Sequence, residues 1–265
     1  MYVQRLRLGL LGTLALATAL PAFGCGGSGG GSSTASSGGP ASRPAPPVDA
    51  ATTGAIAGHV LFQGTAPVNP VIDMGSDPAC IAATRGTTPR QSWWVVGPGG
   101  GLANAFVYVK SGLGAYSYPE PATPVELDQK NCQYVPHVFG IRVGQPLIIV
   151  NSDPTLHNIH ARPRVNQEFN TGQPLQGMKT RHVFRAAEVM VPFKCDVHDW
   201  MNAYAGVMPD PYFAVSGRDG AFDISGLPPG RYVLAAWHEK LGEQTMNVTI
   251  EPTQTRNVTF TFKAK

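Results

Sequence analysis

The sequence predicts an all-β protein built as two β-sandwiches. Three observations predict it. Short apolar runs recur between turn signals from Thr53 onward. Helical periodicity is nearly absent. The chain also carries 31 glycines and 24 prolines among 265 residues, with only 14% charged residues, well below the roughly 25% of an average soluble domain. That composition excludes a helical bundle. A net charge of +3, without any basic cluster, excludes a nucleic-acid partner.

The N-terminus reads as an export signal over residues 1–24. Arg5 and Arg7 form a basic start, and Leu8 to Leu20 is apolar but short for a membrane span. The order Ala22-Phe23-Gly24-Cys25 resembles the lipobox of bacterial lipoproteins, which implies cleavage before Cys25 and its lipidation. Ala22 departs from the usual leucine, so ordinary cleavage that leaves Cys25 as an odd thiol is the competing expectation. Residues 25–53 follow as a Gly/Ser/Pro-rich tether, with too little apolar surface to offset the entropy of ordering. The expected location is therefore the periplasm or cell envelope, with membrane contact only through an N-terminal lipid.

The strands are read in order. Ala55 to Phe62 and Ala105 to Val109 come first. Val138 to Val143 turns at Gly144-Gln145 into Pro146 to Val150. Arg181 to Phe184 and Val189 to Phe193 form a late pair, and Tyr204 to Met208 follows. In the last stretch Phe222 and Ile224 alternate with polar positions, as do Tyr232, Leu234 and Ala236, then Val258, Phe260 and Phe262. The run Asp219-Gly220-x-Phe222-x-Ile224-x-x-Leu227-Pro228-Pro229-Gly230-x-Tyr232-x-Leu234 resembles the carboxypeptidase regulatory-like, or transthyretin-like, β-sandwich. The resemblance implies an opening strand like Gly54 to Phe62. The domain reading is thus 54–110 with 212–265 as one sandwich, interrupted by 111–211. Two consecutive domains are the simpler arrangement.

The chemistry concentrates in two segments. Lys194-Cys195-Asp196-Val197-His198-Asp199-Trp200-Met201 places a thiolate, an imidazole and a thioether at Cys-x2-His-x2-Met spacing, between two apolar strands. Upstream, Asn151-Ser152-Asp153-Pro154-Thr155-Leu156-His157-Asn158-Ile159-His160 follows directly on a strand. One thiolate, two imidazoles and a weak axial thioether suit copper in both oxidation states. Zinc is the competing metal, but it prefers a fourth Cys, His or carboxylate to a methionine. The two segments resemble those of the cupredoxins, the blue copper proteins of plastocyanin and amicyanin type, and here the Greek-key fold is implied for 111–211.

The resemblance implies one type 1 copper site held by His157, Cys195, His198 and Met201. It implies Asn158 behind the first ligand, bonding near the thiolate and tying the two segments together. It also implies that the ring edge of His198 reaches the surface as the electron port, and that redox proteins such as a cytochrome or an oxidoreductase are the partners. His160 competes with His157, but strand alternation keeps both from facing one metal, and Asn158 favours His157. Trp200 is placed to shield the site from water. His137 reads as bonded to backbone or solvent; His59, His182 and His238 read as surface-facing. With Cys25 and Cys195 assigned, Cys80 and Cys132 remain as a candidate disulfide in an oxidising compartment, against the alternative of two thiols.

No His-Glu-x-x-His, Gly-x-Ser-x-Gly or phosphate loop occurs. The expected function is one-electron transfer without enzymatic activity. The alternatives are copper delivery or sensing, and an adhesion or carbohydrate-binding envelope protein with a degenerate copper domain. One departure has a consequence of its own: Val197 stands where many short-loop cupredoxins carry proline. Its N–H is free to bond the thiolate and so raise the reduction potential. Val197→Pro is therefore expected to lower the potential measured by voltammetry; an equal or higher value refutes this role.

Overall fold

The computed structural model describes residues 45–75 and 77–264. The export signal, Cys25 and the first part of the tether lie outside the described residues. No described helix is long and apolar enough to cross a membrane.

Two strands open the fold, β1 (Gly54–Gln63) and β2 (Phe106–Ser111), with a short helix α1 (Pro78–Ala83) between them. The middle of the chain then forms β3 (Val125–Lys130), β4 (Gln133–Val135), β5 (Val138–Arg142) and β6 (Pro146–Asn151). It continues through β7 (His157–Ala161), β8 (Phe169–Gln173), β9 (Lys179–Val183), β10 (Glu188–Lys194) and β11 (Asn202–Met208). The last elements are β12 (Phe213–Val215), β13 (Ala221–Leu227), β14 (Gly230–His238), β15 (Gly242–Ile250) and β16 (Thr255–Lys263). The fold is all-β, as the turn-punctuated pattern predicts.

The strands make four sheets. Orders β13-β1-β16 and β12-β2-β14-β15 share one core, which includes Ile56, Val60, Leu102, Val107, Phe222, Leu234 and Phe260. Orders β4-β3-β6-β9 and β5-β11-β10-β7-β8 share another, with Leu127, Ile141, Leu147, Ile149, Phe184 and Phe193. The chain thus starts one sandwich with β1 and β2, runs through all nine strands of the other, and returns at β12. The long β1–β2 connection crosses between them: its Ile72, Met74 and Cys80 sit in the core of the nine-stranded sandwich.

The continuous apolar run Phe106 to Val109 in β2 follows from burial on both faces. Val107 and Val109 point into their own sandwich, whereas Phe106 and Tyr108 join Val138, Met190, Met208 and Ala235 in the seam between the two. Glycines make this close approach possible. A Cβ on Gly206 of β11 would lie 2.2 Å from the Phe106 ring, and one on Gly140 of β5 would lie 2.2 Å from the Phe213 ring. The Phe106 and Phe213 rings stack in the space these glycines leave open.

One histidine expectation is overturned here. His238 does not face solvent; it is buried, stacked near Trp94 at 5.9 Å between ring centroids. It closes β14 in register with Tyr232, Leu234 and Ala236, so the same period-two alternation carries it onto the core face. Burial pushes its pKa down to about 4, and the ring is neutral at pH 7.

The seam makes a stability prediction. Gly206→Ala forces Phe106 off its seat and is expected to destabilise the protein by about 1–3 kcal/mol. The denaturation midpoint in urea checks this, and an unshifted midpoint would show that the seam is not closely packed.

Candidate metal centre

The site forms where three strand ends meet. β6 delivers Asn151, whose side chain folds the next residues into a turn: its amide donates to the carbonyls of Thr155 and Gln173, both at 2.8 Å, and its oxygen accepts from Asp153 N–H at 3.0 Å. That turn leads into His157 at the head of β7. β10 pairs antiparallel with β7, Lys194 opposite His160, which brings Cys195 beside the start of β7. The loop from Cys195 to Met201 then closes on itself. Met201 N–H donates to the His198 carbonyl (3.0 Å), Cys195 N–H to the Met201 carbonyl (3.2 Å), and His198 N–H to the Cys195 sulfur (3.3 Å).

Three ligand atoms converge. His157, Cys195 and His198 each offer one atom, all within 4.8 Å of one another. The two Nδ1 atoms are 3.0 Å apart, and Cys195 Sγ lies 3.9 Å from His198 Nδ1. Metal bonds of about 2.0 Å to nitrogen and 2.3 Å to sulfur give separations of roughly 3.3–3.8 Å between ligands, so a transition-metal ion fits among these donors. Relative exposures are 0% for His157, 1% for Cys195, 2% for His198 and 1% for Met201, so water is excluded. Met201 packs in the same core as Cys195.

Asn158 ties the two segments together: its Oδ1 accepts from Asp196 N–H at 2.5 Å. His160 lies outside the cluster, bonded to Asp196 at 2.8 Å and Glu168 at 2.7 Å. His137 bonds the Asn202 carbonyl and Glu239 near the seam of the two sandwiches. Trp200 packs tilted against His198, at 4.9 Å between ring centroids, and its indole N–H donates to the Cys132 carbonyl at 2.9 Å. Cys80 and Cys132 form a disulfide, with Cα atoms 5.5 Å apart.

The ring edge of His198 does not reach the surface, contrary to its expected role as electron port. The start of α1 covers it. Asp77 Oδ2 accepts from His198 Nε2 at 3.1 Å, and Cys80 Sγ is 3.7 Å from the same atom. Sequence reasoning missed Asp77 altogether and gave Asp153 no role. Asp153 Oδ2 accepts from His157 Nε2 at 2.9 Å. The available signal for Asp77 was local: Asp-Pro is an N-cap followed by proline at the first helical position, which marks α1 but not its contact with residue 198.

The electrostatics are coupled. Burial alone would lower the pKa of His157, but its hydrogen bond to Asp153 and the neighbouring Cys195 outweigh burial and raise it to about 9. Burial raises the Cys195 thiol, but His157 and the backbone N–H groups of Asn158, His198 and Val197 outweigh that and hold it below its usual value. Burial lowers the pKa of His198. The two rings are thus pushed in opposite directions: His157 is held toward its protonated form and His198 toward its neutral form.

No protein-family model matches the chain. No curated protein matches it. Among solved structures it is similar to a Cu(I) amicyanin mutant, at 18% identity over 40% of this chain and 99% of that one, with a TM-score of 0.29. It is similar to a purple cupredoxin from Nitrosopumilus maritimus, at 23% identity over 32% of this chain and 99% of that one, TM-score 0.27. A copper-containing nitrite reductase from Thermus scotoductus SA-01 is similar at 18% identity over 37% of this chain, TM-score 0.31. The chain spans only 25% of that reductase.

Metal uptake must displace the His157 proton. Affinity for a divalent metal is therefore expected to rise with pH up to about 9, with proton release on binding. A chelator competition series from pH 6 to 9 checks this, and a flat profile would show that His157 is already unprotonated.

Proposed function

We propose that the protein is a copper-binding electron-transfer protein of the cell envelope, a one-electron carrier with a single type 1 site. The carrying observation is the convergence of two imidazole Nδ1 atoms and one cysteine sulfur in a buried cluster. This soft donor set suits copper in both oxidation states. Copper, when bound there, supplies a one-electron couple. His157, Cys195 and His198 would hold it, with Met201 as the weak axial donor. The remaining residues keep the donors still: Asn151 folds the upstream turn, Asn158 joins the two segments, and the 195–201 loop is closed by its own backbone hydrogen bonds. A fixed donor set keeps rearrangement small when the charge changes.

Retention favours a carrier over a delivery or sensing protein, because the donors are braced and covered on several sides. A degenerate domain is disfavoured by the presence of a ligand-type side chain at all four positions. The seven-stranded sandwich of β1, β2 and β12 to β16 supports the reading of a carboxypeptidase regulatory-like module. In this reading it serves as a platform for the copper sandwich. The N-terminal apolar stretch, Cys25 and the Gly/Ser/Pro tether support export and lipid anchoring, with a cytochrome or an oxidoreductase as redox partner.

Loading the purified protein with Cu(II) is expected to give an intense visible thiolate-to-copper charge-transfer band, and Cys195→Ser is expected to abolish it. A colourless Cu(II) form of the wild type would overturn the electron-transfer reading.

A further inference from the structure

We propose that Asp77 is a positioning residue of the metal centre. It acts from a cover pinned by the Cys80–Cys132 disulfide, and it sets both the tautomer of His198 and the charge beside the donor set. The part concerning charge rests on the copper reading above; the part concerning the tautomer does not.

The argument starts from what a helix N-cap requires. Capping α1 occupies only one oxygen of Asp77: Oδ1 accepts from Ala79 N–H (2.8 Å) and Cys80 N–H (3.1 Å). The second oxygen points the other way. Oδ2 accepts from Thr155 Oγ1 at 2.8 Å and from His198 Nε2 at 3.1 Å. Thr155 lies two residues before His157, so one carboxylate braces both ligand segments. A neutral imidazole whose Nε2–H is held by a carboxylate has its other nitrogen unprotonated and free to ligate. His198 Nδ1 is the atom that faces Cys195 and His157.

Asp153 mirrors this arrangement on the other imidazole. Its Oδ2 takes His157 Nε2 and Cys132 N–H, at 2.9 and 2.8 Å, while Oδ1 takes Asn131 N–H at 2.8 Å. The disulfide therefore joins the two elements that hold the two carboxylates: Cys80 lies in α1, which Asp77 caps, and Cys132 lies in the β3–β4 turn, whose N–H groups bind Asp153. Each imidazole is locked by an anion, and the two anions are locked to each other. Both carboxylates lie beside a buried donor set, where Coulomb interactions are strong. Added negative charge favours the more positive metal state, so Asp77 lowers the reduction potential.

Asp77→Asn separates these roles from simple capping. Asparagine caps helices as well as aspartate does. With its oxygen on the α1 N–H groups, its NH2 faces His198 Nε2, and donor meets donor. In the full-length metal-free protein, 15N-labelled at histidine, NMR is expected to show His198 protonated at Nε2 in the wild type and shifted toward Nδ1–H in Asp77→Asn. Copper affinity is expected to fall about 10–100-fold. The reduction potential of the copper-loaded variant is expected to rise. Asp77→Ser keeps a cap but is too short to reach His198, and is expected to lose affinity similarly. The proposal is overturned if the wild type holds Nδ1–H, or if both variants keep the wild-type tautomer and affinity. A visible band that persists with an unchanged or lower potential overturns the charge role. An absent band in the wild type overturns the copper reading instead, and the metal-free tautomer then decides on Asp77 by itself.

Discussion

Two imidazoles buried side by side are the constraint on which the nine-stranded sandwich is arranged. Each ring has two nitrogens, and no water reaches either one. With Nδ1 of both rings turned toward Cys195, each Nε2 needs a partner inside the protein, because an unpaired buried polar group costs more than a hydrogen bond returns. Asp153 and Asp77 supply those partners. Both are themselves charged and buried or partly buried, so each needs donors of its own. Asp153 finds them in the backbone of the β3–β4 turn, and Asp77 in the first turn of α1 and in Thr155. The requirement thus propagates outward from the rings to a turn, a helix and the disulfide between them.

This chain of requirements explains features that look arbitrary one at a time. Asn131 and Cys132 both adopt positive φ, 54° and 53°, an uncommon conformation for residues with a Cβ. The tight turn they form aims two consecutive N–H groups at one carboxylate, and it turns Cys132 toward α1. The β1–β2 connection belongs by sequence to one sandwich, yet it leaves that sandwich to cover the other. Ile72, Met74 and Cys80 anchor it in the core there. Its destination is set by the need to close the His198 side of the cluster.

The alternating strands and the His/Cys/Met spacing were legible because each is a local pattern. A ligand type three residues from another, on a loop between apolar strands, carries its meaning within ten residues. Asp77 was not legible, because its partner His198 lies 121 positions away and the contact exists only where α1 packs on the nine-stranded sandwich. The burial of His238, by contrast, is legible in the alternation: it stands two residues beyond Ala236, on the face that Tyr232 and Leu234 turn to the core. β3 was passed over because Val125–Lys130 is mostly polar. Its Gln129 is nonetheless fully buried, bonded to Gln173 and the Val150 carbonyl. A buried amide leaves no hydrophobic trace in sequence.

Covering His198 also changes how the cluster meets its surroundings. An imidazole edge at the surface would be hydrated, and water would screen the charge of any nearby carboxylate. Here the exposed side chains next to the ligands are Leu156, adjacent to His157, Asp196, adjacent to Cys195, and Val197 and Asp199, on either side of His198. The rim is mixed, two apolar and two acidic side chains, and Trp200 packs beside His198. The cover buries His198, whose side chain is 2% exposed, while Asp77 stays 17% exposed, so the contact is strengthened from the imidazole side. Cover and carboxylate act as one device: the burial of His198 that makes an anion beside it costly to hold is also what lets the charge of Asp77 be felt at the donor set.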